Sequence, residues 1–193
     1  MYKRQVGLDG VGQWGRVGPG LDRNFVSAAR ARVAAAVAGS PRVSVSSSSV
    51  PNAGALGVPP VASISDLSSN GIGTIGEDLS QRVLQANGDT FVDKAVITVR
   101  LSTGEVFDVV PDFLRLASTQ GRTATLDIIE SKASRVQLPD IAQLSDNQAV
   151  LLDALLRGDD ITVTAGSRLQ ERLPNINDFR LGRFDIETFL LLD

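Results

Sequence analysis

Three stretches rich in Val, Ile and Phe follow one another between residues 91 and 133: Phe91–Leu101 (FVDKAVITVRL), Glu105–Leu114 (EVFDVVPDFL) and Ala124–Ala133 (ATLDIIESKA). β-Branched and aromatic residues pack well on a pleated surface, so the three runs read as strands. Ser102-Thr103-Gly104 between the first two reads as a hairpin turn. Helical periodicity brackets them. Ile75, Leu79 and Val83 stand four apart in Ile75–Ala86, and Asn87-Gly88-Asp89 supplies a stop. Further on, Ile141–Arg157 carries Ile141, Leu144, Leu151, Leu152, Leu155 and Leu156 on one stripe and ends at Gly158. Within it, Ser145 and Gln148 have the spacing of a capping box. Ile161–Ala165 (ITVTA) reads as a fourth strand. The order helix, strand, strand, strand, helix, strand argues against a bundle or a sandwich and predicts an α/β fold with a mixed central sheet flanked by helices.

Residues 1–75 read differently. They hold 11 of the 18 glycines and 5 of the 8 prolines, along with the low-complexity stretches Val43–Val50 and Val58–Val61, a composition expected to resist regular packing. Seven basic against three acidic residues make this part positive, which suits a linker, a docking arm or a phosphate-contacting tail. Its Ala-rich run predicts one helix, Asn24–Ala38. The expected organisation is a leader over residues 1–75 and a compact domain over residues 76–193. Residues 167–193, which end in the apolar run Phe189–Leu192, are expected to pack on that domain as a tail.

The chain contains no cysteine and no histidine, which excludes disulfides, thiolate metal sites, thiol nucleophiles and imidazole general bases. Serine–histidine triads and the usual zinc enzymes are therefore ruled out. A net charge of -3 disfavours a cationic nucleic-acid binder but leaves room for a local basic patch. No run of about 18 apolar residues occurs, and Met1–Gly20 carries glycine and charge where a secretory signal needs an apolar core, so a soluble chain is expected.

Any catalysis must then use carboxylates, Lys, Arg, hydroxyls or a hard cation. Pro111-Asp112 ends the second expected strand, and Glu130-Ser131-Lys132 lies near the end of the third. Alternation places Glu130 and Lys132 on one face of that strand and Ile129 and Ser131 on the other. Neighbouring strands would bring Asp112, Glu130 and Lys132 together, and two close carboxylates repel unless a cation such as Mg²⁺ lies between them. An isolated E-x-K is most often a surface ion pair. Here it stands in an apolar strand, 18 residues after the Pro-Asp pair.

Pro111-Asp112-Phe113 and Ile128-Ile129-Glu130-Ser131-Lys132, in this order of elements, resemble the PD-(D/E)xK nuclease superfamily, which has the restriction-endonuclease-like fold. The resemblance covers Gly76 to Gly166. It implies that Asp112 and Glu130 bind a divalent metal, Mg²⁺ with Mn²⁺ as a substitute, and that Lys132 assists the attacking water. It also implies a further acid on the first core helix, matched by Glu77, and a Gln on the helix after the E-x-K strand, matched by Gln148. Glu77 near a helix start is equally what the helix dipole selects, and Gln148 is equally a capping residue. Asp108 and Asp127 are poorer candidates, since Asp127 points away from Glu130 by parity.

Residues 77–166 hold eight basic against fourteen acidic residues, a poor surface for a polyanion, which the basic leader or Arg115, Arg122 and Arg135 would have to offset. The expected function is a metal-dependent endonuclease, with DNA favoured over RNA. The layout of a glycine-rich leader before a compact C-terminal domain resembles bacterial polymorphic toxins. That implies a cognate immunity protein as partner and action in the cytoplasm of a target cell after delivery, with no membrane involved. Two alternatives stand beside it: a tRNA- or RNA-cleaving toxin of the same fold, and a non-catalytic α/β interaction module in which the three side chains form an ion-pair network.

Overall fold

The computed structural model describes residues 21–36, 40–51, 67–137, 143–159 and 161–192. In chain order they form α1 (Arg23–Ala36), β1 (Val43–Pro51), α2 (Ser69–Ala86), β2 (Phe91–Asp93), β3 (Ile97–Leu101), β4 (Val106–Val109), β5 (Phe113–Gln120), β6 (Thr123–Ser134), α3 (Asp146–Arg157), β7 (Ile161–Ala165), α4 (Ser167–Arg172) and β8 (Asp178–Leu192). The strands make one sheet in the order β2-β5-β6-β8-β7-β3-β4, with β1 added on β8. β8 runs parallel to β6 and, from Phe184 onward, parallel to β1; the other pairings are antiparallel. The protein is thus an α/β protein with a mixed eight-stranded sheet packed against four helices: the class and the mixed sheet are those expected, while the strands outnumber the four that the patterns predict.

Alternation along β6 sorts its side chains between two helices. Ile129 packs with Leu84 of α2, Ala133 with Ile72 and Ile75, and Ser80 Oγ donates to Ser131 Oγ at 3.0 Å. On the opposite face Ile128 joins Leu151, Leu152 and Leu155 of α3 in the main core. Each such fully buried side chain contributes about 1.5–3 kcal/mol, which outweighs the marginal intrinsic stability of a helix as short as α3.

α2 starts earlier than its apolar spacing suggests. Ser68 caps it, its hydroxyl accepting from Gly71 N at 3.2 Å. Gly71 and Gly73 lower the local helix propensity and disguise this first turn, but Ile72 is buried against the sheet and holds it. Gly76 is needed for a close approach, because a Cβ there would stand 2.9 Å from Ala133 Cβ on β6. Gly73 faces open space. Opposite outcomes are expected in chemical or thermal denaturation: Gly76→Val destabilises by about 1–3 kcal/mol through overpacking, whereas Gly73→Ala stabilises by about 0.5–1 kcal/mol. Equal effects at both positions would mean that α2 does not sit tightly on β6.

Several expectations need correction. The first expected strand breaks into β2 and β3 around Lys94, whose φ of 46° is incompatible with a continuous ladder. The second breaks into β4 and β5 at Pro111-Asp112, while the Ser102–Gly104 turn does join the antiparallel pair β3/β4. The expected helix over Ile141–Arg157 begins only at Asp146, behind the Ser145 cap; residues 143–145 precede it outside the α-helix, and Ile141 lies outside the described residues.

Val43–Pro51 is a strand and not an irregular stretch: β8 supplies a parallel partner from Val43–Phe184 to Pro51–Leu192. α1 buries Val26, Ala29 and Val33, and its Arg30 and Arg32 pair with Asp146 and Asp153 of α3, each at 2.7 Å. These two parts of the expected leader therefore belong to the same sheet and core as the rest. The last two positions of the expected Asn24–Ala38 helix, Met1–Gly20 and Val58–Val61 lie outside the described residues. The expected tail supplies α4 and the long strand β8. No helix among the described residues is long and apolar enough to cross a membrane.

Candidate active site

Asp112 directly precedes β5, whose register pairs Phe113 with Ile129 and so sets Asp112 opposite Glu130. It opens a strand where the sequence pattern had it closing one. Pro111 has no N–H to give a ladder, which accounts for the break before it. Asp112 N donates to Glu130 Oε1 at 3.3 Å, and Ser131 N donates to Asp112 Oδ2 at 2.8 Å. Those bonds tie the Glu130 carboxylate to the backbone of Asp112 and the Asp112 carboxylate to the backbone of Ser131.

Gln148, in the first turn of α3, donates from Nε2 to Glu130 Oε1 at 2.5 Å while its own Oε1 accepts from Ser145 N at 2.9 Å. One side chain thus closes the capping box and touches the buried acid. Lys132 Nζ donates to Glu130 Oε2 at 3.0 Å, so Glu130 and Lys132 share a face as alternation requires. Asp112, Glu130, Lys132 and Gln148 all meet at this end of β5 and β6.

Glu77 stands in the middle of α2 and not near its start, so the helix dipole does not account for it. It reaches the group through a residue that sequence reasoning missed. Lys94 Nζ donates to Glu77 Oε1 at 2.8 Å and also to Asp112 Oδ1. Among the described residues Lys94 is the one non-glycine with positive φ, and its N–H donates to Asp112 O at 3.0 Å. The available signal was a lone lysine inside the apolar run Phe91–Leu101. Burial alone would lower the pKa of the Lys94 ammonium, but the hydrogen bonds to Asp112 and Glu77 outweigh it and hold the group above the usual lysine value.

Glu130 is only 1% exposed. Burial first, and the charge of Asp112 second, push its carboxyl up to about 8 against the pull of Lys132. The Lys132 ammonium therefore does not offset the burial of Glu130. The oxygen donors of Asp112, Glu130 and Glu77 are of the kind that bind a hard divalent ion, and the ammonium groups of Lys94 and Lys132 stand on them. As the side chains stand, no three acidic groups among the described residues lie close enough together to hold one ion.

The other residues singled out by sequence do other work. Asp127 pairs with Arg115 at 2.7 Å, and Asp108 accepts from Thr98 Oγ1 at 2.6 Å. Arg115 also reaches Asp185 at 3.2 Å, while Arg122 donates to Asn177 and Arg135 to the Leu67 carbonyl. Of these three arginines, Arg115 is paired with acids of the fold, whereas Arg122 and Arg135 donate here to neutral oxygens. Comparison with protein-family models, with curated proteins and with solved structures found no match for this chain.

Proposed function

We propose that this protein is a metal-dependent endonuclease that hydrolyses phosphodiester bonds, with a restriction-endonuclease-like core running from α2 to β7. The observation that carries the reading is the meeting of Asp112, Glu130, Lys132 and Gln148 at one end of β5 and β6, drawn from three separate elements. Asp112 and Glu130 would hold Mg²⁺ or Mn²⁺, with Glu77 as the further acid. When bound, such an ion polarises a phosphoryl oxygen and lowers the pKa of a coordinated water. Lys132 orients the attacking water and stabilises charge on the phosphorane-like transition state. Gln148 keeps Glu130 Oε1 aimed through its amide hydrogen bond. None of these roles needs histidine or cysteine.

DNA is the favoured substrate and RNA the alternative. The further reading of an interbacterial toxin with an immunity protein as its partner rests on a leader set apart from the domain, and the membership of α1 and β1 in the same sheet and core removes that support. The test is to incubate the purified protein with supercoiled plasmid and with total RNA, in Mg²⁺ and in EDTA. Nicking that appears with Mg²⁺ and vanishes with EDTA is the expected result. Cleavage of RNA alone would transfer the reading to a ribonuclease, and cleavage of neither would leave an interaction module built around an ion-pair network.

A further inference from the structure

Lys94 has an unusual combination of features for a lysine that is 42% exposed. Its ammonium bridges Glu77 on α2 and Asp112 before β5. Its backbone is in the left-handed region, a conformation that carries a cost for any residue with a Cβ, and its N–H is bound to the carbonyl of Asp112 itself. The strained backbone therefore anchors the lysine to the residue whose carboxylate it neutralises. Asp112 Oδ2 accepts from the backbone N–H of Ser131, and Oδ1 accepts from the Lys94 ammonium.

We propose that Lys94 is an internal counter-cation: it holds Glu77 and Asp112 in the metal-free protein and must swing away before a divalent ion can bind there. This inference rests on the metal-dependent reading of the site. Its mechanism is competition for one carboxylate. The Lys94 ammonium and a divalent ion repel each other at one carboxylate, so metal binding at Asp112 competes with the Lys94 pair. The lysine's four-carbon stem and partial exposure let it move into solvent without unfolding its neighbours. Lys94 then sets the metal concentration at which the site fills, so that the protein ignores trace metal and responds to higher levels.

The test is Mn²⁺ binding by the full chain, followed by calorimetry and by the loss of the free-ion paramagnetic resonance signal. Three proteins are compared: the parent, Lys94→Met, which removes the charge, and Lys94→Gly, which removes the charge and relieves the backbone. Both variants are expected to bind Mn²⁺ about five- to tenfold more tightly than the parent, and to show a larger thermal shift on adding metal. Equal or weaker binding in both variants overturns the inference while leaving the metal site standing. No Mn²⁺ binding by any of the three proteins removes the metal site, and with it both the nuclease reading and the inference. Tighter binding without cleavage of any nucleic acid would uphold the role of Lys94 and count against the nuclease alone.

Discussion

Replacing Lys132 by alanine is expected to reduce Mg²⁺-dependent cleavage by about 10²–10⁴-fold, while the melting temperature stays within a few degrees of the parent. The two halves of this expectation have separate causes. Catalytically, the proposed reaction has no histidine to orient or accept a proton, so one ammonium beside the buried acid carries a role that other enzymes divide. Structurally, Lys132 is bound to Glu130 Oε2 at the inner end of a partly exposed side chain. Removing a partner from a buried ion pair is ordinarily severe because it strands a charge. Here the stranded group has a way out: burial and Asp112 already favour the protonated form of Glu130, so the carboxyl takes a proton instead of remaining as a naked anion. Single-turnover cleavage at fixed Mg²⁺, measured beside a thermal melt, separates the two effects. Lys132→Arg is not expected to restore the rate, since a planar guanidinium does not reproduce a compact ammonium at this contact. A Lys132→Ala protein that cleaves at the parental rate would remove Lys132 from the chemistry.

The parts of this arrangement that lay in local patterns were legible in the sequence. The period-two run through Ile128–Lys132 placed Glu130 and Lys132 on one face, and the Ser145/Gln148 spacing marked the start of α3, because each depends only on neighbours in the chain. What depended on a distant partner was not legible. Val43–Pro51 reads as low complexity until β8 offers it a ladder, and β8 itself reads as a charged tail because Asp, Arg and Glu alternate with its buried Phe179, Leu181, Phe184 and Ile186. Lys94 escaped notice for a related reason. Its importance lies in a turn between strands and in a carboxylate from α2, and neither is visible from its neighbours Asp93 and Ala95. The pairing of Asp112 with Glu130 was expected from the wrong end of a strand. It emerges nevertheless, since an antiparallel register brings the start of β5 beside the end of β6.

The metal-free protein is expected to lose stability as pH rises from about 5.5 to about 8.5, by on the order of 3 kcal/mol. Glu130 is the cause, because its carboxyl in the folded chain titrates at about 8 while in the unfolded chain it has the ordinary value near 4.5. Between those two values the folded state holds a proton that the unfolded state has released. Raising the pH therefore favours unfolding, at about 1.4 kcal/mol per pH unit for one such group. The stabilisation is complete below the unfolded value and is gone once the pH has passed through the folded one. Most proteins blur this window with histidines, but this chain has none. For a chain of this length the slope corresponds to a fall in melting temperature of roughly 6–12 °C. Melts in EDTA across the range measure it directly, and Glu130→Gln supplies the control: it keeps a side-chain oxygen to accept from Asp112 N and Gln148 Nε2 but cannot ionise. The variant's stability should be level across the same window. A slope that survives the substitution would place the titrating group elsewhere and undo the picture of Glu130 as a carboxyl raised by its burial.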